Sequence, residues 1–143
     1  MVNLVFVFGT LKEGFPNFHV NQGERLPGVF ATALAFPLYL VGSRNSPWMI
    51  DSPGQGHPVA GQVFRVSDAV LAQMDLLERV AEPDGYHRAL IEVAAKSTST
   101  VSTVQAFAYL KRATQFEFAD AREGPLSEYT QAHAALYRSR GAQ

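Results

Sequence analysis

Residues 4 to 8, Leu4-Val5-Phe6-Val7-Phe8, are apolar without interruption and then meet Gly9. Side chains alternate faces along a strand, so such a run needs cover on both sides. Any fold open to this chain therefore has a central strand close to residue 1. Gly9, followed by Thr10-Leu11 and then Lys12-Glu13-Gly14, marks where that strand stops. A glycine there means backbone in an unusual conformation, or backbone that something approaches closely. A turn and a binding loop are both consistent with it.

Further strands are expected along the chain. "LPGVFATALAFPLYLVG", 26 to 42, is β-rich and broken by Pro37, which predicts two short strands with a kink. "SRNSPWMIDSPGQGHP", 43 to 58, has loop composition around one aromatic, Trp48. Val59 to Val66 reads as a strand, and Ser67-Asp68 as the N-cap and acidic first turn of a helix over 68 to 80. Tyr86 to Ala95 alternates, with His87, Ala89, Ile91, Val93 and Ala95 on one face. A polar hairpin is expected at 96 to 103, a returning strand at 104 to 110, and a terminal helix over 126 to 140. Five or six strands with two helices predict an α+β fold, a small mixed sheet curled toward a barrel with flanking helices.

With 143 residues, the chain is expected to form a single domain over 1–143. It is 47% hydrophobic, enough for a core that needs no metal or disulfide. Twelve Lys plus Arg against thirteen Asp plus Glu provide no basic face for nucleic acid or for a membrane surface. The absence of cysteine removes thiolate metal sites and cysteine nucleophiles. No apolar run approaches the roughly 18 residues of a membrane span, and Met1-Val2-Asn3 opens no secretory pattern. A soluble, cytoplasmic protein is the expectation.

One side chain sits oddly on this plan. On the helix at 68 to 80, Leu71 and Met74 mark the apolar side. Each residue advances a helix by about 100°, so Glu78 falls almost directly above Leu71, one turn beyond Met74. A carboxylate in line with core residues is a candidate general base, because burial without a partner favours its neutral form. The bland alternative is a side chain that bends to water, or pairs with Arg79 or Arg88.

Other patterns point nowhere. "GTLKEG" lacks the spacing of a phosphate-binding loop, and "GQGHPVAG" lacks that of a dinucleotide fingerprint. His19, His57, His87 and His133 have no metal-ligand spacing, so no metal and no cofactor are expected. Trp48 and Tyr109 read as core aromatics that could also wall a pocket.

"VFGTLKEGFPNFH", 7 to 19, resembles the opening signature of the gamma-glutamylcyclotransferase-like proteins, normally Tyr-Gly-Thr/Ser-Leu after the first strand. Leu11 to Asn17 is especially similar to the gamma-glutamylamine cyclotransferase branch. "NSPWMIDSPGQG", "VAGQVFRVSDAVLAQMDLLE" and "GYHR" resemble three further stretches of that branch, in order. The likeness covers roughly residues 2 to 110. It implies a small β-barrel with flanking helices and a cavity between the first loop and the acid-bearing helix. It implies release of 5-oxoproline from gamma-glutamylamines such as gamma-glutamyl-lysine. By the same resemblance Glu78 matches the catalytic acid-base residue, and Phe8, Gly9, Thr10 and Leu11 match the substrate-cradling loop. Position 8 departs from the pattern, with Phe in place of the usual Tyr.

That chemistry accounts for the residue types. The α-amine of the substrate attacks its own γ-carbonyl, closing a lactam and expelling an amine, so the protein need not supply a nucleophile. One carboxylate can take a proton from the amine and return it to the leaving group. Backbone N–H groups of a glycine-containing loop can meet the oxyanion or the substrate carboxylate. Two alternatives are a non-catalytic module of the same fold that binds a small carboxylate, and a cyclotransferase that removes a gamma-glutamyl protecting group in secondary metabolism.

Overall fold

The computed structural model describes residues 2–96 and 102–139. In chain order its strands are β1 (Val2–Val7), β2 (Glu24–Arg25), β3 (Phe30–Thr32), β4 (Leu38–Val41), β5 (Ser46–Met49), β6 (Ala60–Ser67), β7 (His87–Ala95), β8 (Thr103–Leu110) and β9 (Ala121–Glu123). Helix α1 (Asp68–Leu77) follows β6, and the short α2 (Gln131–Ala134) follows β9.

β1 lies between β6, its antiparallel partner, and β8, its parallel one. From β8 the ladder continues to β7, then β3, then β6. The path thus returns to β1, and among the described residues five strands close into a mixed barrel, with β2 added alongside β6. Closure leaves β1 without a free edge. β4, β5 and β9 form a separate three-stranded antiparallel sheet. The expected α+β barrel with flanking helices is the observed architecture.

The opening run has the cover it requires. Phe6 packs with Phe30, Val63, Ile91, Val93, Ala106 and Ala108 in one core cluster. Val5 and Val7, on the opposite face of β1, pack with Phe64, Val66, Leu71 and Met74 beneath α1. Met74 is fully buried, so truncating it to alanine would cost about 2–5 kcal/mol. Among the described residues no helix is long and apolar enough to cross a membrane.

Three expectations need correction. Trp48 lies on a strand: β5 pairs with β4 from Leu38–Met49 to Val41–Ser46. The hairpin between them turns through left-handed backbone at Gly42 (φ +73°) and Asn45 (φ +52°), conformations that glycine and asparagine tolerate. The terminal helix shrinks to the four residues of α2. Upstream of it the backbone is committed elsewhere: Leu126 N–H donates to the Leu38 carbonyl at 2.7 Å, and the Ser127 carbonyl accepts from Ala60 N–H at 2.8 Å. Those bonds hold the segment extended and deliver Tyr129, fully buried, to the core. Finally, α1 stops at Leu77, with Glu78 as its C-cap. The polar hairpin expected at 96 to 103 falls mostly on residues 97–101, outside the described ones.

Candidate active site

The loop after β1 is fastened from both sides. Lys12 N–H donates to the Gly9 carbonyl at 3.1 Å, closing a turn over Gly9-Thr10-Leu11-Lys12. Closing such a turn uses neither central N–H, so those of Thr10 and Leu11 are not spent on it. Asn17 N–H donates to the Thr10 carbonyl at 2.8 Å and its Nδ2 to Thr10 Oγ1 at 2.9 Å. Asn21 Nδ2 reaches the Leu11 carbonyl at 3.0 Å. Gly9 is required by space: a Cβ there would lie 2.8 Å from Pro47 Cγ, on the strand that packs across the loop. Of the two readings of this glycine, close approach is the one realised.

Helix α1 brings the acid. Ser67 Oγ accepts from Val70 N–H at 3.2 Å, the N-cap expected from its sequence. At the other end Glu78 N–H donates to the Met74 carbonyl at 2.9 Å, and the Glu78 carbonyl accepts from Tyr86 N–H at 3.0 Å. Arg79 then turns left-handed (φ +56°), which ends the helix. Glu78 is half-buried. The arginines considered as its partners have carboxylates of their own: Arg79 pairs with Asp84 at 2.8 Å and Arg88 with Asp75 at 2.7 Å.

Loop and acid line one cavity of about 130 Å³, room for a small molecule rather than a single water. Phe8, Gly9, Thr10, Leu11 and Glu78 all contribute to its wall. So do residues that the sequence did not single out as a group: Asn17, Arg44, Tyr86, Tyr109 and Tyr137 among them. Tyr137 and Ser139 come from the segment after α2, which therefore closes the cavity from the far end of the chain.

Tyr109 on β8 donates its hydroxyl to Asp75 Oδ1 at 2.7 Å, while Arg88 Nη1 holds Asp75 Oδ2. Burial pushes the Tyr109 hydroxyl well above the usual tyrosine range, and the Asp75 bond and nearby carboxylate charges raise it further. It stays a neutral donor at every ordinary pH. Asp75 was legible in principle: it lies four residues after Leu71 and three before Glu78, spacings that share a helix face. The tyrosines carried no such signal, because Tyr86 precedes β7, Tyr109 lies on β8 and Tyr137 follows α2.

The Phe at position 8 leaves the cavity supplied with hydroxyls. Tyr86, Tyr109 and Tyr137 all line it. Tyr86 Oη donates to the Pro47 carbonyl at 3.0 Å, and Tyr137 Oη accepts from Asn17 Nδ2 at 3.3 Å.

Residues 5–132 match the family described as Gamma-glutamyl cyclotransferase, AIG2-like. Among curated proteins, the chain is 38% identical over 94 residues to the Gamma-glutamylaminecyclotransferase of Rattus norvegicus, covering 62% of each. It is 35% identical over 124 residues to the protein of the same name from Homo sapiens, covering 78% of this chain and 79% of that one. The match thus spans about three fifths of the rat protein's length. Among solved structures, an AIG2-like protein from Mus musculus superposes with a TM-score of 0.82 at 27% identity, covering 99% of both chains. Sequence and architecture agree over most of the chain, which belongs to the AIG2-like gamma-glutamyl cyclotransferase family.

Proposed function

We propose that this protein is a gamma-glutamylamine cyclotransferase, an enzyme that releases 5-oxoproline from gamma-glutamylamines such as gamma-glutamyl-lysine. The observation that carries the reading is the shared cavity: Glu78 and the loop from Phe8 to Leu11 wall the same space. The family match and the relatives' names support it from outside the structure.

In this reading Glu78 takes a proton from the substrate α-ammonium. The freed amine attacks the γ-carbonyl carbon, forming the C–N bond of the five-membered lactam. Glu78 then returns that proton to the departing nitrogen as the original amide C–N bond breaks. The second proton shed by the attacking nitrogen goes with the released amine, which leaves as its ammonium, so the enzyme ends as it began. The Thr10 and Leu11 N–H groups are the proposed donors to the γ-oxyanion or the α-carboxylate. Asn17 and Asn21 keep that loop in place, so its donors are aimed before substrate arrives. The Tyr109–Asp75–Arg88 chain holds the helix against β7 and β8 one turn below the acid.

Residues 1–143 act as one catalytic unit in this proposal, supported by the contribution of both ends of the described chain to the cavity wall. The substrate is a small molecule, and neither cofactor nor metal is required for the cyclisation. The proposed compartment is the cytoplasm: a chain with no cysteine draws no stability from an oxidising one.

The test is 5-oxoproline release from gamma-glutamyl-lysine, followed by mass spectrometry, for the natural protein and for Glu78→Gln. Loss of an acid-base group predicts a fall of about 10²–10⁴-fold with an unchanged melting temperature. Full activity in the variant would remove Glu78 from the mechanism.

A further inference from the structure

We propose that Arg44 receives a carboxylate on the leaving amine, so that gamma-glutamyl conjugates whose amine ends in an acid are the favoured substrates. This rests on the cyclotransferase reading above and extends it to the part of the substrate beyond the scissile bond.

Arg44 sits at a junction. It lines the Glu78 cavity and also an adjoining cleft walled by Trp48, Pro83, Asp84, Lys111 and Gln115. Tyr86 is likewise common to both spaces. With the glutamyl head against the loop and Glu78, an amine leaving past Tyr86 and Arg44 enters that cleft.

The turn between β4 and β5 holds Arg44 there. Arg138 N–H donates to the Arg44 carbonyl at 2.9 Å, and Asn45 Nδ2 to the Leu136 carbonyl at 3.3 Å. The backbone is therefore pinned to the C-terminal segment while the side chain is lightly engaged. Among the described residues its guanidinium makes one long contact, Nη1 to the Arg138 carbonyl at 3.4 Å, and no carboxylate lies within ion-pair distance. A guanidinium facing a cavity with its fork unfilled is suited to bidentate capture of a carboxylate.

The cleft has the same preference. Lys111 Nζ lies 4.3 Å from the Trp48 ring centre and 4.4 Å from that of Tyr86. Its ammonium donates to the Asp84 backbone carbonyl at 2.6 Å, while the Asp84 carboxylate is engaged by Arg79. Two cations thus line the cleft against one acid that already has a partner. The Trp48 ring supplies an apolar wall for a methylene chain.

The experiment uses three gamma-glutamyl conjugates of matched length, made with 6-aminohexanoate, hexylamine and 1,6-diaminohexane. Values of kcat and KM for 5-oxoproline release are measured for the natural protein, Arg44→Met and Arg44→Lys. Met keeps the apolar stem and removes the charge. The natural protein should favour the carboxylate conjugate over the hexylamine one by about tenfold or more in kcat/KM. In Arg44→Met the carboxylate conjugate should lose about tenfold more than the hexylamine conjugate, through KM, and Arg44→Lys should recover part of that loss. Equal losses on all three conjugates, or no preference in the natural protein, overturn the assignment while leaving the cyclotransferase reading intact. Release from none of the three overturns that reading, and this inference with it.

Discussion

Asn17 grips Thr10 at two points, through its backbone N–H to the carbonyl at 2.8 Å and its Nδ2 to Oγ1 at 2.9 Å. Its Nδ2 also reaches Tyr137 Oη at 3.3 Å, tying the loop after β1 to the segment after α2. Asn17→Ala keeps the backbone bond and loses both side-chain bonds. Stability should fall by about 1–2 kcal/mol, read by urea unfolding. Activity should fall further than stability explains, because the loop donors lose their aim, and kcat/KM at a temperature far below melting measures that excess.

Gly9 offers a steric test of the same loop. An added methyl would sit 2.8 Å from Pro47 Cγ and 3.3 Å from Pro47 Cβ, and a proline ring cannot swing aside. Gly9→Ala should destabilise the protein by about 1–3 kcal/mol and reduce 5-oxoproline release. Thermal melting and a crystal structure of the variant, with the Gly9–Pro47 separation widened, would check both.

Asp75 separates support from chemistry. It accepts from Arg88 and Tyr109, yet it is absent from the cavity wall that includes Glu78. Asp75→Asn keeps an acceptor for Arg88 but loses the carboxylate charge and the acceptor of the Tyr109 hydroxyl, so it should cost about 1–3 kcal/mol. Its effect on kcat should be far smaller than that of Glu78→Gln. Parallel unfolding and rate measurements on the two variants would show opposite rankings.

Lys12 makes stability depend on pH. Its side chain is buried, its ammonium donates to the Tyr129 carbonyl and lies 4.2 Å from the Phe15 ring centre. Burial lowers its pKa from 10.5 to about 8, with the Glu128 charge opposing the shift. Between those values the unfolded chain keeps the proton and the folded one has released it, so stability rises with pH across the window. The gain is on the order of 3 kcal/mol and is complete above about pH 10.5. Below about pH 8 the cost of the buried ammonium is constant. Urea unfolding of the natural protein against Lys12→Met, at pH 7, 8.5 and 10, isolates this group. The natural protein should gain on the variant as pH rises.

Legibility followed distance along the chain. The Ser67 cap, the strand at β6 and the buried pair Leu71–Met74 are patterns within one or two turns, and they hold in the folded protein. The terminal helix expected over 126 to 140 did not form as such. Helical spacing there lost to the hydrogen bonds of Leu126 to β4 and of Ser127 to β6 and to the burial of Tyr129, all made with residues far upstream. Trp48 departs from its loop composition for a related reason: its strand exists because β4 pairs with it across a turn, and Pro47 beside it lowers any local β signal.

By itself, then, the sequence determined a central strand, the point where it ends, and a capped helix whose apolar residues Leu71 and Met74 are followed by an acid. Each follows from periodicity and from local backbone chemistry, which any short window contains. Tertiary structure alone decided that the strands close on β1 and that Pro47 presses on Gly9. It also decided that Arg44, Tyr86, Tyr109 and Tyr137 meet around Glu78. Those residues come from a turn, from the loop before β7, from β8 and from the segment after α2. What unites them is the burial of apolar surface across the whole barrel, a quantity no local window records.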